Sequence, residues 1–326
     1  MISRRILLSA LIAAGCGLGA LASAAAQSYP TKPIKMVVPF PPGGPTDTIA
    51  RLIAQHMEKS LGQTIVVENR PGAGGTIGAN AVANAPADGY TLLLGSTTTL
   101  SISPHLYKNI GYDPEKGLAM VATVSTGAMV LAVQPSVPAN NVKELIAHAK
   151  ANPGKLNFGA AMASPPHLAG ELFKTMAGIN VVFVPYRGAA PAVTDLLGGR
   201  LQFMIDAIGT LKPHIESGKL KAFAVTSDAA DPALPKVPVM KDAGVPGYEL
   251  DFWTGIATAS SVPQDVIAKL NGVINAGLKS AEVKAAMTKF SISPNPLSPE
   301  DSGKFMERER TKWGKIAKDA GVKLNN

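Results

Sequence analysis

Cysteine is almost missing from this 326-residue chain: the single one, Cys16, sits inside the first apolar stretch. Disulfide scaffolds, thiolate nucleophiles and cysteine-held metals are therefore excluded from everything downstream of it. Aromatic residues make up 5% and charged residues 17%, against 46% hydrophobic, so a core must be built mainly from aliphatic side chains. Histidine is thinly spread. His56, His105, His148, His167 and His214 form no H-E-x-x-H and no i, i+4 pair, so neither a metal nor a cofactor is called for. Beyond residue 26 no run approaches the roughly 18 apolar residues of a membrane span.

The first 26 residues read as an export leader. Arg4 and Arg5 precede an apolar run from Ile6 to Ala22, which ends in the small residues Ala22 to Ala26, and cleavage near Ala24 or Ala26 fits. Ser3-Arg4-Arg5 partly resembles a twin-arginine signal, but the ordinary secretory route is the simpler reading. Lipidation of Cys16 would leave an apolar stretch where a polar tether is usual. The mature chain is thus expected in the periplasm. The leader holds two of the 31 basic residues and none of the 23 acidic ones, which lowers the formal surplus from +8 to +6. Lysines are dispersed without interleaved aromatics, so nucleic acid is not an expected partner, whereas small anions remain compatible.

From Ile34 onward short β-prone runs alternate with amphipathic stretches. Ile34–Val38, Thr64–Glu68 and Tyr90–Gly95 read as strands of a parallel sheet, and a helix with Ile49, Leu52, Ile53 and Met57 on one face lies between the first two, with Thr46 or Asp47 as its cap. A second helix is expected near Ile77 to Ala85. After a long β-rich stretch, Val121–Val133, a helix at Val142–Ala151 opens a second series, with strands at Leu156–Gly159, Val181–Val184, Phe203–Asp206 and Ala222–Thr226. Helices starting near His167, Pro191 and Leu211 separate them. One further strand, Leu250–Ala257, precedes purely helical patterns from Pro263 to Gly321. Two α/β lobes joined by extended crossings place a ligand in the cleft between them. The expected boundaries are residues 27–125 with 252–326 for one lobe and 126–251 for the other.

Enzymatic readings find little support. Ser164, His167 and Asp206 are the nearest approach to a nucleophilic set, but no G-x-S-x-G exists and Ser164 reads more simply as a helix cap three residues before His167. Gly72-Ala73-Gly74-Gly75-Thr76-Ile77-Gly78 lacks the G-x-G-x-x-G spacing and any following Lys-Ser/Thr, so tight packing explains its glycines better than a nucleotide does. Pro39-Phe40-Pro41-Pro42-Gly43-Gly44-Pro45-Thr46-Asp47 is different, because it presents backbone N–H groups and a hydroxyl at a helix start, where a carboxylate is stabilised. Ser96-Thr97-Thr98-Thr99 adds uncharged donors after the third strand. Loops at Ala160–His167 and Pro185–Gly188 would face these from the other lobe, with Arg187 as a solvated or a charge-assisting side chain. Asp206 at a strand end would repel a carboxylate, accept from an ammonium or hydroxyl, or bond to its own loop.

Taken in order, these segments resemble the Bug-type substrate-binding proteins of tripartite tricarboxylate transporters. The resemblance spans the mature chain and rests on Tyr29-Pro30, Val38 to Gly44 with Asp47, Val67-Glu68-Asn69-Arg70-Pro71-Gly72-Ala73-Gly74-Gly75, Asp88-Gly89-Tyr90-Thr91-Leu92-Leu93, Pro165 to Leu172, Val184 to Gly188, Asp195 to Gly199 and Gly218 to Ala222. It implies a two-lobed, type II-like α/β periplasmic-binding-protein fold. It further implies a non-enzymatic monomer that captures a small organic acid and delivers it to a membrane permease. By the same resemblance Phe40, Gly43, Gly44, Thr46 and Asp47 inherit the first carboxylate site and Ser96, Thr97 and Thr98 the next ligand loop. Ser164, His167, Tyr186, Asp206 and Ala207 match positions of the second lobe. A membrane sensor kinase as partner, or less favourably a small-molecule hydrolase, are the alternative readings. Gly159-Ala160-Ala161-Met162-Ala163-Ser164 is one residue shorter and poorer in Ser and Gly than the family form. A ligand whose far end is less acidic or more apolar than a tricarboxylate is therefore expected.

Overall fold

The computed structural model describes residues 29–322, so the expected leader and Cys16 lie outside the described residues. Strand β1 (Ile34–Val38) is nearly pure aliphatic and is buried on both faces, as befits a strand inside a parallel set; it pairs in parallel with β2 (Ile65–Asn69) and β3 (Thr91–Ser96). Helix α1 (Pro45–Leu61) packs Ile49, Ala50, Ile53 and Met57 on this layer and ends where Gly62 adopts the left-handed conformation. Helix α2 (Thr76–Ala83) covers the other face through Ala79 and Val82.

The second layer repeats the plan. After α4 (Val142–Ala151), β5 (Asn157–Ala161) pairs in parallel with β6 (Val182–Tyr186) and with β7 (Phe203–Ala207), and α5 (Pro165–Ala177), α6 (Ala189–Leu197) and α7 (Ile208–Glu216) follow these strands in turn. The short α3 (Ser103–Leu106) lies earlier, directly after a wide helical turn at Thr98–Ile102. Asn141 caps α4 by accepting the Glu144 N–H.

The connection between layers departs from two separate parallel sheets. Strand β4 (Leu118–Val133) is 16 residues long; its first part, Leu118–Ala128, runs antiparallel to β9 (Asp251–Ala259), and its second part, Met129–Val133, runs antiparallel to β7. β8 (Lys221–Val225) pairs with that second part too. One ten-stranded mixed sheet results, ordered β2-β1-β3-β9-β4-β7-β5-β6 with β8 and β10 (Ser293–Pro294) attached to β4. β4 is buried along nearly its whole length, with Thr123, Ser125, Thr126 and Gly127 between two apolar halves, and its partner changes midway without a loop. β10 also interrupts the C-terminal part that reads as helical from sequence: α9 (Gln264–Leu278) and α10 (Ala281–Lys289) precede it, and α11 (Pro299–Asp319) follows. Between β8 and β9 stands only the short α8 (Met240–Ala243). Helix α11 gives Met306 to the cluster beneath β3 and Trp313 and Ile316 to the core of β4, β5 and α5. No helix among the described residues is long and apolar enough to cross a membrane.

Candidate functional site

Helix α1 starts without a side-chain cap. Gly44, in extended conformation, occupies the cap position that the sequence reading gives to Thr46 or Asp47, and Pro45 opens the first turn. The first-turn N–H groups therefore keep their donors, with the positive end of the helix behind them. Asp47 is not part of the wall of the cavity that opens beside this helix start. It is buried beneath the loop, where its carboxylate accepts from Gly43 N–H at 3.0 Å, from Arg51 through Nε and Nη2 at 3.0 Å each, and from Asn69 Nδ2 at 2.9 Å. These bonds, that from Arg51 foremost, hold the Asp47 carboxyl down to about 2. Asn69 also donates to Phe40 O at 3.0 Å, so both ends of the proline-glycine loop are fixed from behind. Gly43 has φ +86°, a conformation that a side chain disfavours.

Next to this loop a cavity of about 510 Å³ opens between the two layers. Of the residues singled out from sequence, it is lined by Phe40, Thr46, Ser96, Thr97, Thr98, Asp206 and Ala207. Gly43, Gly44, Asp47, Ser164, His167 and Tyr186 are not part of the wall. Thr97 lines the cavity, but its hydroxyl accepts the Trp253 N–H at 2.6 Å and donates to the Trp253 carbonyl at 3.2 Å, so its proton is engaged in joining β3 to β9. The Ser96 hydroxyl only accepts, weakly, from Thr99 N–H at 3.4 Å, and donates to no acceptor among the described residues.

The second-layer residues outside the wall each have a structural task. Ser164 caps α5, accepting from His167 N–H and donating to Ala161 O at 2.7 Å. His167 is buried, stacked on Phe183 at 3.9 Å, and its Nδ1 accepts the Ala163 N–H at 3.2 Å. Burial lowers its pKa to about 4, so the ring is neutral. Tyr186 donates to Asp195 Oδ2 at 2.7 Å, and burial and that bond push its hydroxyl up to about 12. The Ser164 hydroxyl donates to Ala161 O and His167 Nδ1 accepts from Ala163 N–H, so these side chains and Asp206 are not hydrogen-bonded to one another as a nucleophilic triad would be. Arg187 is exposed and outside the wall.

Long-range pairing adds lining residues that local patterns do not reveal. Ser125 on β4 and Thr254 on β9 share a hydrogen bond of 2.8 Å, and Thr210 enters from the first turn of α7. Of these, Thr210, at a helix start four residues after Asp206, carries a readable signal. Met129, Phe252, Phe290 and Ile292 make the rest of the wall largely apolar. Among the described residues no Lys, Arg or His lines the cavity, and no group of His, Cys, Asp and Glu is arranged to hold a metal.

A family model described as tripartite tricarboxylate transporter family receptor, TctC, matches residues 49–322. The chain belongs to this family. Its fold is that of the two-lobed periplasmic binding proteins. The periplasmic binding protein BugD is 38% identical with a TM-score of 0.75, covering 90% of this chain and 99% of its own. An R. palustris protein solved with adipate is 36% identical with a TM-score of 0.79, over 90% of this chain and 99% of that one. MatC from Rhodopseudomonas palustris, solved with bound malate, is 32% identical with a TM-score of 0.75, over 88% and 99%. TctC-family proteins of this kind are periplasmic solute-binding proteins, and the Bug-type resemblance read from the sequence motifs is the correct one.

Proposed function

We propose that this TctC-family protein captures a small organic carboxylate between its lobes and hands it, chemically unchanged, to a membrane permease of the tripartite tricarboxylate type. One observation carries the reading: the uncapped start of α1 and the hydroxyls of Thr46, Ser96 and Thr98 border a single cavity that no basic side chain lines among the described residues. Such a site holds an anion with neutral donors, each preset by a rigid turn, so little ordering entropy is lost on binding. The adipate and malate bound by relatives agree with a carboxylate as the captured group. The lobes divide as residues 27–125 with 252–326 against 126–251, and contacts made only when they close favour the closed form. The protein acts as a monomer in the periplasm once its leader is removed.

Mass spectrometry of small molecules released from the denatured protein, followed by a thermal-shift screen of carboxylic acids, tests this. A ligand at a hundred times its Kd raises stability by about 2.7 kcal/mol, readily seen as a melting shift. Stabilisation by acids and not by the matching alcohols is expected. Failure of every acid to stabilise, or turnover of any of them, overturns the proposal.

A further inference from the structure

Resting on the capture reading and its division into lobes, we propose that Gly209 is a positioning residue for the ligand: it lets α7 come against the backbone of Phe290, and that contact is the stop that sets how far the cleft closes. Gly209 lies in the first turn of α7, outside the left-handed region, so no turn geometry asks for a glycine there. Glycine in a helix costs backbone entropy that alanine does not, so its place needs another reason. Packing supplies it. A Cβ at 209 would stand 2.5 Å from the Phe290 carbonyl oxygen, 2.9 Å from its carbonyl carbon and 3.3 Å from its Cα. All three are backbone atoms, which no rotamer change can move aside. Among the described glycines outside the left-handed region, none has a closer approach to backbone.

The two partners come from opposite sides of the cleft. α7 is fixed to its own side by Ile208 and Leu211, buried with Leu196 and Met204. Phe290 follows directly on α10, whose Val283 and Met287 are buried with Ile49, Ile53 and Met57 of α1. Beyond it the chain forms a short strap: Ser293 and Pro294 pair with Thr126 and Ser125 of β4, and Asn295 N–H donates to Val124 O at 3.1 Å. Phe290 N–H donates to Met287 O at 3.0 Å, so its carbonyl stands on a segment held at both ends. Gly209, Thr210, Phe290 and Ile292 all line the cavity, so the contact forms one of its edges. Non-bonded heavy atoms rest about 3.5 Å apart, so a methyl group at 209 must part α7 from the strap by about 1 Å. An N–H···O bond spans about 2.7–3.2 Å, and a gap of that size breaks the bonds a ligand makes to one of the two sides. Binding then no longer favours the closed form, because that preference rests on contacts from both.

Spin labels at Gln55→Cys on α1 and Thr175→Cys on α5, both exposed, in protein carrying Cys16→Ser, report the distance between the lobes by double electron–electron resonance. Malate, adipate and hexanoate are the probes. In this labelled parent at least one of them is expected to move the distribution to a shorter distance. Adding Gly209→Ala should abolish that shortest distance and weaken binding of the same acid at least tenfold in calorimetric titration, through faster release and not slower capture. Gly303→Ala, in open space on α11, should behave as the parent. If Gly209→Ala fails to fold, hydrogen exchange in the unsubstituted protein decides: the acid should slow exchange of the amides at 208–211 and at 290–292 together, and either segment left unchanged overturns the stop. A folded Gly209→Ala that reaches the parent's shortest distance overturns it too, whatever its affinity, as does a parent that binds an acid without shortening. If none of the acids binds the parent, the carboxylate reading has failed, and the stop is judged on the ligand-free distributions. There Gly209→Ala must lack the shortest distances of the parent, and identical distributions overturn the stop.

Discussion

Asp47 and Arg51, one helical turn apart on α1, are joined by two parallel hydrogen bonds, Nε to Oδ2 and Nη2 to Oδ1, each 3.0 Å long. The pair lies behind the ligand loop, and the same carboxylate receives Gly43 N–H. Asp47→Asn keeps the shape but gives up the charge-assisted bonds, and a loss of about 1–3 kcal/mol in urea denaturation is expected. Ligand affinity should fall with it, because the loop that aims the N–H groups is the part loosened. Because the folded carboxyl titrates at about 2 against an ordinary 3.8, its stabilisation is complete above about pH 4 and disappears as the pH falls toward 2. In the variant, acid unfolding curves should be flatter over that interval.

Adjacent threonines give opposite outcomes. Thr97→Val leaves the buried Trp253 N–H without its 2.6 Å acceptor, and a stability cost of about 1–3 kcal/mol with little direct effect on ligand contacts is expected. Thr98→Val removes a hydroxyl that lines the cavity, so the melting temperature should hold while affinity for the bound acid drops about tenfold, as loss of one hydrogen bond to a charged group implies. Thermal unfolding beside calorimetric titration separates the two, and equal behaviour of both variants would contradict the division.

The glycine-rich turn after β2 works by contact. Gly75 has φ +90°, and a Cβ there would stand 2.3 Å from Thr99 Oγ1, on the wide turn that also carries Thr98. Gly75→Ala should therefore destabilise by more than about 1 kcal/mol and weaken ligand binding by shifting that turn, whereas Gly303→Ala, which meets open space on α11, should be neutral or slightly stabilising. Urea titrations of the two variants check the contrast.

The strands and most helices were legible because their signals are local. Ile34–Val38 is a short β-prone run broken only by Lys35, and Val142–Ala151 is closed by Asn152-Pro153-Gly154, and both stand where their patterns place them. Helix starts at Pro165, Ala189 and Ile208 fall two or three residues ahead of expectation, since prolines and small residues carry little periodicity. The joining of both layers into one sheet was not legible, because β4 pairs with β9 across more than a hundred residues and nothing in either run names its partner. The site divides the same way. Thr46, Ser96 and Thr98 follow from loops at strand ends, but the wall contributed by Ser125 and Thr254 exists only through that long-range pairing. Asp47, His167 and Tyr186 match the right loops yet turn to the protein, because a buried carboxylate, imidazole or phenol close to a cleft is satisfied by whichever donor or acceptor is nearest.

His167 supplies the last prediction. Its Nδ1 accepts the Ala163 N–H, at a residue with φ +58°, and its ring stacks on Phe183, so the neutral form is built into the loop that ends β5. Protonation would turn the acceptor into a donor facing another donor. The pKa is depressed from 6.5 to about 4, chiefly by burial and further by Lys174, so the native state binds the proton less readily than the unfolded chain. His167 therefore adds stability that is whole above pH 6.5 and declines as the pH falls to about 4. NMR titration should show the His167 ring signals unmoved from pH 8 to 5. His167→Gln, which keeps an acceptor but no titrating group, should flatten the decline in melting temperature between pH 6.5 and 4. A ring that titrates near 6.5 in the folded protein would mean that the Ala163 hydrogen bond does not hold it neutral.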